Sequence, residues 1–295
     1  MEKVLNFKDF HKKFPYLDIE ELIIYYSIFN GHPLIEKIDL SKDFYKIIEK
    51  EIIEKVDILR KFFIYDKKPE NQEIIEKILS RISKGDRKSY STYSKDNISQ
   101  PKGREFFKYL FETGIIKKEL SREKPLKNDK KQILKKRLRR YKIEDKIHIN
   151  NNFTRFWFTF IHPFLKENRE ISLKNIKIYL DKFISLEFEK LSILLIEELH
   201  KKEKILTSGS YWDKDIEIDL LIETSLHKFA GEVKWKNSKT CKNILNSLQS
   251  KCKLANLPID KYLLFSKSGF SNELKSKKYP NVILYELKDF EYFLY

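Results

Sequence analysis

Two stretches with strand-like alternation decide the fold of this chain: WDKDIEIDLLI at residues 212–222 and FAGEVKW at residues 229–235. Successive side chains of a strand point to opposite faces, so Glu217 and Asp219 share one face, as do Glu232 and Lys234. The short connection between the stretches predicts that they pair as antiparallel neighbours. Pairing would bring Asp219 and Glu232 close enough to share one cation, and carboxylate oxygens are ligands that Mg²⁺ prefers.

The Glu-x-Lys spacing alone carries little information, because charged residues make up 35% of the chain. Glu144, Glu273 and Glu286 are also followed by Lys two positions later. Unlike these three glutamates, Glu232 lies within an apolar and aromatic run. It directly follows a glycine and is downstream of a second acid-bearing strand. A surface hairpin with its charges on the solvated face explains the two strands equally well when they are considered alone.

A long helix is predicted at residues 171–204, where apolar residues recur at helical spacing. Glu189 interrupts an apolar stripe of this helix, and a buried carboxylate is costly unless a metal or a partner compensates. The alternative is a glutamate at the helix edge whose head group reaches solvent. Further along the chain, a helix is predicted at residues 239–254 and strands at residues 262–266 and 282–285.

The order helix, strand, strand, helix, strand, with Asp219 on the first strand and Glu232 and Lys234 on the second, resembles the PD-(D/E)XK nuclease superfamily. The wider pattern is similar to one branch, the domain of unknown function at the C-terminus of archaeal-type ATPases. The segments that carry this resemblance are FE at 188–189, Trp212, EID at 217–219, GEVKW at 231–235 and FSKSGF at 265–270, with NGHP at 30–33, YKIED at 141–145 and FTRFWFTFIHP at 153–163 upstream.

The phosphate-binding loop of those ATPases is missing from this sequence. None of its seven glycines stands in a Gly-x-x-x-x-Gly-Lys-Ser/Thr arrangement, whose backbone amides would hold phosphates. The chain therefore resembles the C-terminal half of such an ATPase standing alone, and ATP hydrolysis is not expected of it.

The resemblance implies a DNA nuclease that depends on Mg²⁺ or Mn²⁺. Asp219 and Glu232 would hold the metal ion, and the carbonyl oxygen of Val233 would complete the site. Glu189 and Glu217 would assist, while Lys234 would orient or activate the attacking water. The alternative is a non-catalytic DNA-binding or regulatory protein, or a docking partner of a separate ATPase, that uses the same fold.

Positive charge is concentrated in one segment. Residues 117–142 contain 13 Lys and Arg residues and three Asp and Glu residues, a net charge of +10 out of +16 for the whole chain. The densest part, called the basic run below, comprises Lys135, Lys136, Arg137, Arg139 and Arg140. Such a concentration favours a polyanion, bound through phosphate contacts and counterion release. The alternative is a solvated loop. An acidic lipid surface is disfavoured, because no amphipathic apolar face accompanies the charge.

The residues before that segment predict a winged helix, a variant of the helix-turn-helix. Helices are predicted at residues 71–83, 89–95 and 101–113, followed by the first strand of a wing at residues 115–120. The third helix carries Lys102, Arg104 and Lys108, which suit contacts to phosphates or to guanine edges. A helical protein-interaction module is the alternative.

The chain is therefore predicted to be a mixed α/β protein, with a helical and winged-helix half followed by a restriction-endonuclease-like PD-(D/E)XK half. The predicted divisions are a helical appendage similar to an ATPase lid at residues 1–66, a winged helix at 67–150, a linker at 151–170 and the nuclease-like domain at 171–295. DNA is the expected partner, and a homodimer or a separate ATPase is a further candidate.

Other classes of protein are disfavoured by composition. The sequence has no stretch of about 18 uncharged apolar residues that would predict a membrane span, and its N-terminus lacks the apolar region of a signal peptide. Cys241 and Cys252 are the only cysteines, they do not form a close pair, and no cluster of His residues lies near them. Neither a zinc site nor a disulfide framework is expected, and a cytoplasmic location is predicted.

Overall fold

The computed structural model describes residues 4–85, 95–127, 129, 131–276 and 279–294. These residues form a mixed α/β protein, which confirms the predicted class. The chain divides into two compact units, Met1–Glu119 with Asp145–Leu180, and Leu120–Glu144 with Asp181–Tyr295. The divisions predicted from the sequence differ from these units, and residues 171–180, predicted to begin the nuclease-like domain, lie in the first unit. Residues 120–144 join the second unit, and the expected linker at 151–170 lies within the first.

The first unit begins with a series of helices. They are α1 (Phe7–Lys13), α2 (Ile19–Phe29), α3 (Phe44–Ile48), α4 (Val56–Arg60), α5 (Pro69–Ser83) and α6 (Gln100–Glu112). A capping box fixes the start of α2: the Asp18 side chain accepts a hydrogen bond from the backbone N–H of Glu21, whose side chain accepts one from the backbone N–H of Asp18. On α5, the buried residues Ile75, Ile78, Leu79 and Ile82 have the helical spacing that predicted this helix.

Two antiparallel strands follow α6 in the first unit. β1 (Ile116–Glu119) pairs with β2 (Lys146–Ile149). The helices predicted at residues 71–83 and 101–113 are confirmed as α5 and α6, with slightly different ends. Residues 89–94 of the predicted middle helix lie outside the described residues.

The segment expected to be a linker is a helical run buried in the first unit. It comprises α7 (Asn152–Phe156), a wider π-helical turn (Trp157–Ile161) and α8 (His162–Lys166). The side chains at most 1% exposed in this run include those of Phe153, Phe156, Trp157, Phe158 and Phe160. Trp157 stacks on Phe63 with ring centroids 4.5 Å apart. The aromatic density explains the difference from a linker, because such large apolar side chains gain most from burial.

Gly31 makes a tight turn after α2. Its φ is +82°, a backbone conformation that residues with a Cβ rarely adopt. The Gly31 carbonyl accepts a hydrogen bond from Nδ2 of Asn151 (3.1 Å), and a Cβ at Gly31 would lie 2.1 Å from that nitrogen. Asn151 therefore leaves no space for a side chain at Gly31.

Gly31→Ala is expected to lower the free energy of unfolding by more than about 2 kcal/mol, because a positive φ costs roughly 1–2 kcal/mol and the clash with Asn151 adds to it. Gly114→Ala is the matched control, since Gly114 also has a positive φ (+70°) but nothing lies within 4 Å of its Cβ position. Urea denaturation should show a clearly smaller loss for the control. Equal losses for both variants would contradict the tight contact with Asn151.

The second unit is built on a mixed β-sheet. Its strands are β3 (Ile205–Thr207), β4 (Tyr211–Trp212), β5 (Glu217–Ile218), β6 (Leu220–Thr224), β7 (Lys228–Lys234), β8 (Lys261–Ser266) and β9 (Val282–Glu286). Five strands form one sheet in the order β3–β6–β7–β8–β9, and β4 pairs with β5 separately. β6 and β7 are antiparallel, whereas β7–β8 and β8–β9 are parallel. Its helices are α9 (Leu173–Leu199), of which residues 181–199 belong to this unit, α10 (Lys242–Leu254) and α11 (Asn272–Lys275).

The two faces of β7 pack against different elements. Ala230 belongs to a buried cluster that includes Leu245 and Leu248 of α10. Phe229, on the opposite face, contacts His200 just after α9, with ring centroids 4.7 Å apart. Because side chains alternate along a strand, the even-numbered residues of β7, which include Glu232 and Lys234, point towards the side of α10.

Candidate active site

The predicted antiparallel pairing of the two acid-bearing strands is confirmed. Leu220 of β6 lies opposite Gly231 of β7, and continuing this register by one residue places Asp219 opposite Glu232. The single strand predicted across residues 216–222 is instead divided by a bend at Asp219, because β5 pairs with β4 while β6 joins the main sheet. The bend therefore places Asp219 at the end of β6, beside the last residues of β7.

Asp219, Glu232 and Lys234 come together at this end of the two strands. Oδ2 of Asp219 accepts a hydrogen bond from the backbone N–H of Val233 (2.9 Å). Nζ of Lys234 donates to Oε1 of Glu232 (2.7 Å) and lies 3.7 Å from Oδ2 of Asp219. The Asp219 and Glu232 side chains are only 16% and 10% exposed. One ammonium group thus bridges two largely buried carboxylates.

The electrostatics of the two carboxylates are coupled. Burial and the negative charge of Glu232 raise the pKa of Asp219 to about 6, although Lys234, the N–H of Val233 and Lys251 act in the opposite direction. Burial alone would lower the pKa of Lys234, but the carboxylates of Asp219 and Glu232 outweigh that effect and raise it. Two carboxylates that repel each other in a largely buried site form an environment that favours a bound cation.

A stability difference that depends on pH follows from the raised pKa of Asp219. A carboxyl group whose pKa rises on folding stabilises the fold fully below its unfolded pKa, and this stabilisation is lost as the pH rises through the folded pKa. The asparagine of Asp219→Asn cannot ionise. Above pH 6 this variant is therefore expected to have a higher free energy of unfolding than wild type. The gain should reach up to about 3 kcal/mol, since one pKa unit corresponds to about 1.4 kcal/mol.

Urea denaturation in EDTA between pH 4 and pH 8 would measure this difference. The advantage of Asp219→Asn should shrink as the pH falls from about 6 towards the unfolded pKa of 3.8. Glu223→Gln is the matched control, because Glu223 lies on β6 but is 39% exposed and pairs with Lys228 at 3.1 Å. Parallel profiles for wild type and Asp219→Asn would contradict the prediction.

Lys251 is a member of the site that the sequence analysis missed. Its Nζ donates to Oε2 of Glu232 (2.8 Å), so the two oxygens of Glu232 bind two different lysines. The signal was present in the helical periodicity of α10, since Lys251 lies three residues after the buried Leu248 and next to the buried Cys252. A lysine at the edge of the buried stripe of α10 is placed to reach the same side of the sheet as Glu232.

The other predicted ligands have different surroundings. Glu189, on α9, is half-buried, and its charge is among those that raise the pKa of Lys234. Glu217 is exposed on β5, where it lies opposite Trp212. Within the described ranges, no group of three or more His, Cys, Asp and Glu side chains lies close enough together to hold a metal ion. Asp219 and Glu232 are the two predicted ligands that share the ammonium group of Lys234.

The chemistry of this pair fits a Mg²⁺ ion that keeps several other ligands. Mg²⁺ is often bound through one or two carboxylates, with water and substrate phosphates in the remaining positions. Asp219 and Glu232 supply hard oxygen ligands of that kind. The role predicted for the carbonyl oxygen of Val233 stays a prediction, as do the assisting roles of Glu189 and Glu217.

The predicted DNA-contacting residues are exposed in both units. On α6 of the first unit, Lys102, Arg104 and Lys108 are exposed, while Gly103, Phe106 and Phe107 are buried on the other side of the helix. The basic run belongs to the second unit, and all five of its residues are exposed. Within it, Arg137 pairs with Asp215 at 2.9 Å, and Nε of Arg139 donates to the carbonyl of Leu134.

Hydrogen bonds near both ends of residues 120–144 fix this segment to the β3–β6 region of the second unit. The Arg122 guanidinium donates to the carbonyl oxygens of Ser210 (2.6 Å) and Leu221 (2.7 Å). Nε1 of Trp212 donates to the carbonyl of Glu144 (3.1 Å). Because both ends of the segment are bound to the unit that contains the carboxylate pair, the basic run is part of that unit.

Comparison with known protein families identifies one domain. Residues 157–244 match the family DUF234, described as archaea bacterial proteins of unknown function. A DUF234 domain therefore lies within this chain. The match covers Asp219, Glu232 and Lys234 but ends before Lys251, and it is consistent with the resemblance to the C-terminal domain of archaeal-type ATPases. Searches of curated proteins and of solved structures each find no match.

The described helices were also compared with the requirements of a membrane span. None of them combines the length and the apolar character that crossing a bilayer requires.

Proposed function

We propose that this protein is a DNA nuclease that depends on Mg²⁺ or Mn²⁺. Its second unit would carry the site that hydrolyses the phosphodiester bonds of the DNA. The observation that carries the proposal is the buried pair of Asp219 and Glu232, bridged by Lys234 at the end of two antiparallel strands. This is the arrangement expected of a PD-(D/E)XK site, in which a strand acid is followed by Glu-x-Lys on the next strand.

Each residue of the site has a chemical role in the proposal. Asp219 and Glu232 would hold the metal ion, with the carbonyl of Val233 and the carboxylates of Glu189 and Glu217 as the further ligands implied by the resemblance. The ion, when bound, supplies an activated water and stabilises negative charge on phosphate oxygens. Lys234, whose ammonium group already lies between the two carboxylates, would orient that water or stabilise the developing charge.

DNA binding in the proposal is shared between two exposed surfaces. In the first unit, α5, α6 and the β1–β2 pair are compatible with a winged helix whose recognition helix is α6. The exposed cations of α6, which are Lys102, Arg104 and Lys108, would contact phosphates or guanine edges. In the second unit, the basic run would contact phosphates.

A non-catalytic role is the second candidate, and one observation favours it. Both oxygens of Glu232 are bound by lysines, so its charge is already compensated by the protein itself. In this candidate the ion pairs only satisfy the buried charges at the ends of β6 and β7, and the protein would bind DNA, act as a regulatory protein or dock onto a separate ATPase.

A cleavage assay separates the two candidates. Purified protein would be mixed with plasmid, branched and single-stranded DNA, in EDTA and with Mg²⁺ or Mn²⁺. A nuclease is expected to cut at least one substrate only when the metal is present. If no substrate is cut under any of these conditions while DNA is still bound, the non-catalytic candidate takes its place.

A further inference from the structure

The second lysine of the site, Lys251, has no role in the chemistry proposed above. Glu232 is held by one ammonium group on each of its oxygens, with Lys234 bound to Oε1 at 2.7 Å and Lys251 to Oε2 at 2.8 Å. The two lysines come from different elements, β7 and α10. Their side chains are 25% and 27% exposed, whereas Glu232 is 10% exposed, so both chains extend from the protein interior towards solvent.

The position of Lys251 is imposed by the core of the second unit. Leu248, one turn earlier on α10, is fully buried, and Cys252, the next residue, is 1% exposed. Both belong to the cluster that packs α10 against Ala230 of β7. Because these neighbours fix the helix, the Lys251 side chain starts from a defined point beside Glu232, and the ion pair does not depend on a mobile loop.

The charges of this group balance without any ion. Asp219 and Glu232 contribute two negative charges, and Lys234 and Lys251 contribute two positive charges when all four groups are ionised. An ammonium group that binds a carboxylate oxygen uses the same lone pairs that a divalent cation would use. A metal ion that approaches Glu232 therefore competes with the two ammonium groups for the oxygen lone pairs, and their positive charges repel it.

We propose that Lys251 competes with the metal ion for the carboxylate of Glu232. Its ammonium group holds the carboxylate pair in a neutral, metal-free state. This inference rests on the proposed function. Lys234 is the less suitable competitor, because it also lies 3.7 Å from Asp219 and bridges the pair. Displacement of Lys251 frees one oxygen of Glu232 and leaves Lys234 in place beside both carboxylates. Lys251 is thus a residue that sets metal affinity.

Mn²⁺ binding to the full-length protein tests this inference without any cleavage assay. The concentration of free Mn²⁺, followed by electron paramagnetic resonance in the absence of DNA, gives the dissociation constant. Lys251→Met is expected to bind Mn²⁺ about fivefold more tightly than wild type, because the ion no longer competes with one partly exposed ion pair. Lys251→Arg keeps the charge and should bind at least as weakly as wild type. Lys253→Met, on the exposed side of the same helix, is the matched control and should match wild type.

Thermal unfolding in EDTA shows whether each variant folds, and Lys251→Gln replaces Lys251→Met if the latter does not. Unchanged or weaker Mn²⁺ binding in the folded neutral variant would overturn the inference, because Lys251 would then support Glu232 and not compete at it. Asp219→Asn separates this failure from that of the proposed function. If Asp219→Asn binds Mn²⁺ as wild type does, or wild type binds none, the metal site itself is wrong and both proposals fall.

Discussion

Asp219→Ala and Glu232→Ala are each expected to abolish metal-dependent cleavage of DNA while leaving DNA affinity nearly unchanged. In the proposed function the two carboxylates hold the metal, and other residues, the exposed cations of α6 and of the basic run, contact the DNA. The loss should be roughly a thousandfold or more, because a catalytic metal contributes several kcal/mol and each step of about 1.4 kcal/mol is tenfold in rate. Single-turnover cleavage and fluorescence anisotropy with the same labelled DNA would measure the two quantities.

Lys234→Ala is expected to behave differently from the two carboxylate variants. In the proposed function its ammonium group acts on the attacking water and the phosphate, so the rate should fall by about 10²–10⁴-fold while the metal is still bound. Glu223→Ala is a matched control, since Glu223 is a more exposed carboxylate on β6 that pairs with Lys228 away from the pair. Cleavage by Asp219→Ala at the wild-type rate would place the chemistry outside this site.

The core of the second unit was predictable because its local signals agree. Alternation in residues 229–235 predicted β7, and the short connection after β6 left antiparallel pairing as the simple solution. The shared face of Glu232 and Lys234 followed from a period of two. These features depend only on residues close together in sequence, and the structure reproduces them.

Features that depend on distant parts of the chain were not predictable in the same way. Lys251 meets Glu232 only because α10 packs on that side of the sheet, and the periodicity that places Lys251 at the edge of the buried stripe does not say which strand the stripe packs against. The bend at Asp219 arises because β5 finds a different partner, β4. The aromatic run that contains Trp157 was expected to be a linker, since its burial requires residues from α2 to α5 that lie far away in sequence.

The unit to which the basic run belongs was not predictable from the sequence, for a related reason. Its charge density was evident in the sequence, whereas its attachment through Arg122 and Glu144 depends on carbonyl and indole groups of the second unit. This attachment changes what the charge is expected to do. A basic surface fixed to the unit that carries the carboxylate pair would hold DNA close to that pair, whereas a basic wing on the first unit would only add to recognition.

Neutralising the basic run by replacing Lys135, Lys136, Arg137, Arg139 and Arg140 with Gln is expected to weaken DNA binding by several orders of magnitude. Removing one phosphate contact should reduce the slope of log K against log salt by roughly 0.9, and near 0.1 M salt one such contact is worth on the order of tenfold in affinity. Arg137 should contribute least, because Asp215 already pairs with it at 2.9 Å. Anisotropy titrations at several salt concentrations would give both the affinity and the slope.

A charge-matched control distinguishes local contacts from net charge. Replacing five exposed lysines of the first unit, Lys12, Lys37, Lys42, Lys46 and Lys50, with Gln removes the same formal charge at another surface. If the basic run acts only by long-range attraction, both variants should lose the same DNA affinity. If it makes phosphate contacts, the basic-run variant should lose much more affinity than the control. If affinity and salt slope are unchanged when the basic run is neutralised, these five residues are only a solvated surface, and the cations of α6 would have to supply the phosphate contacts.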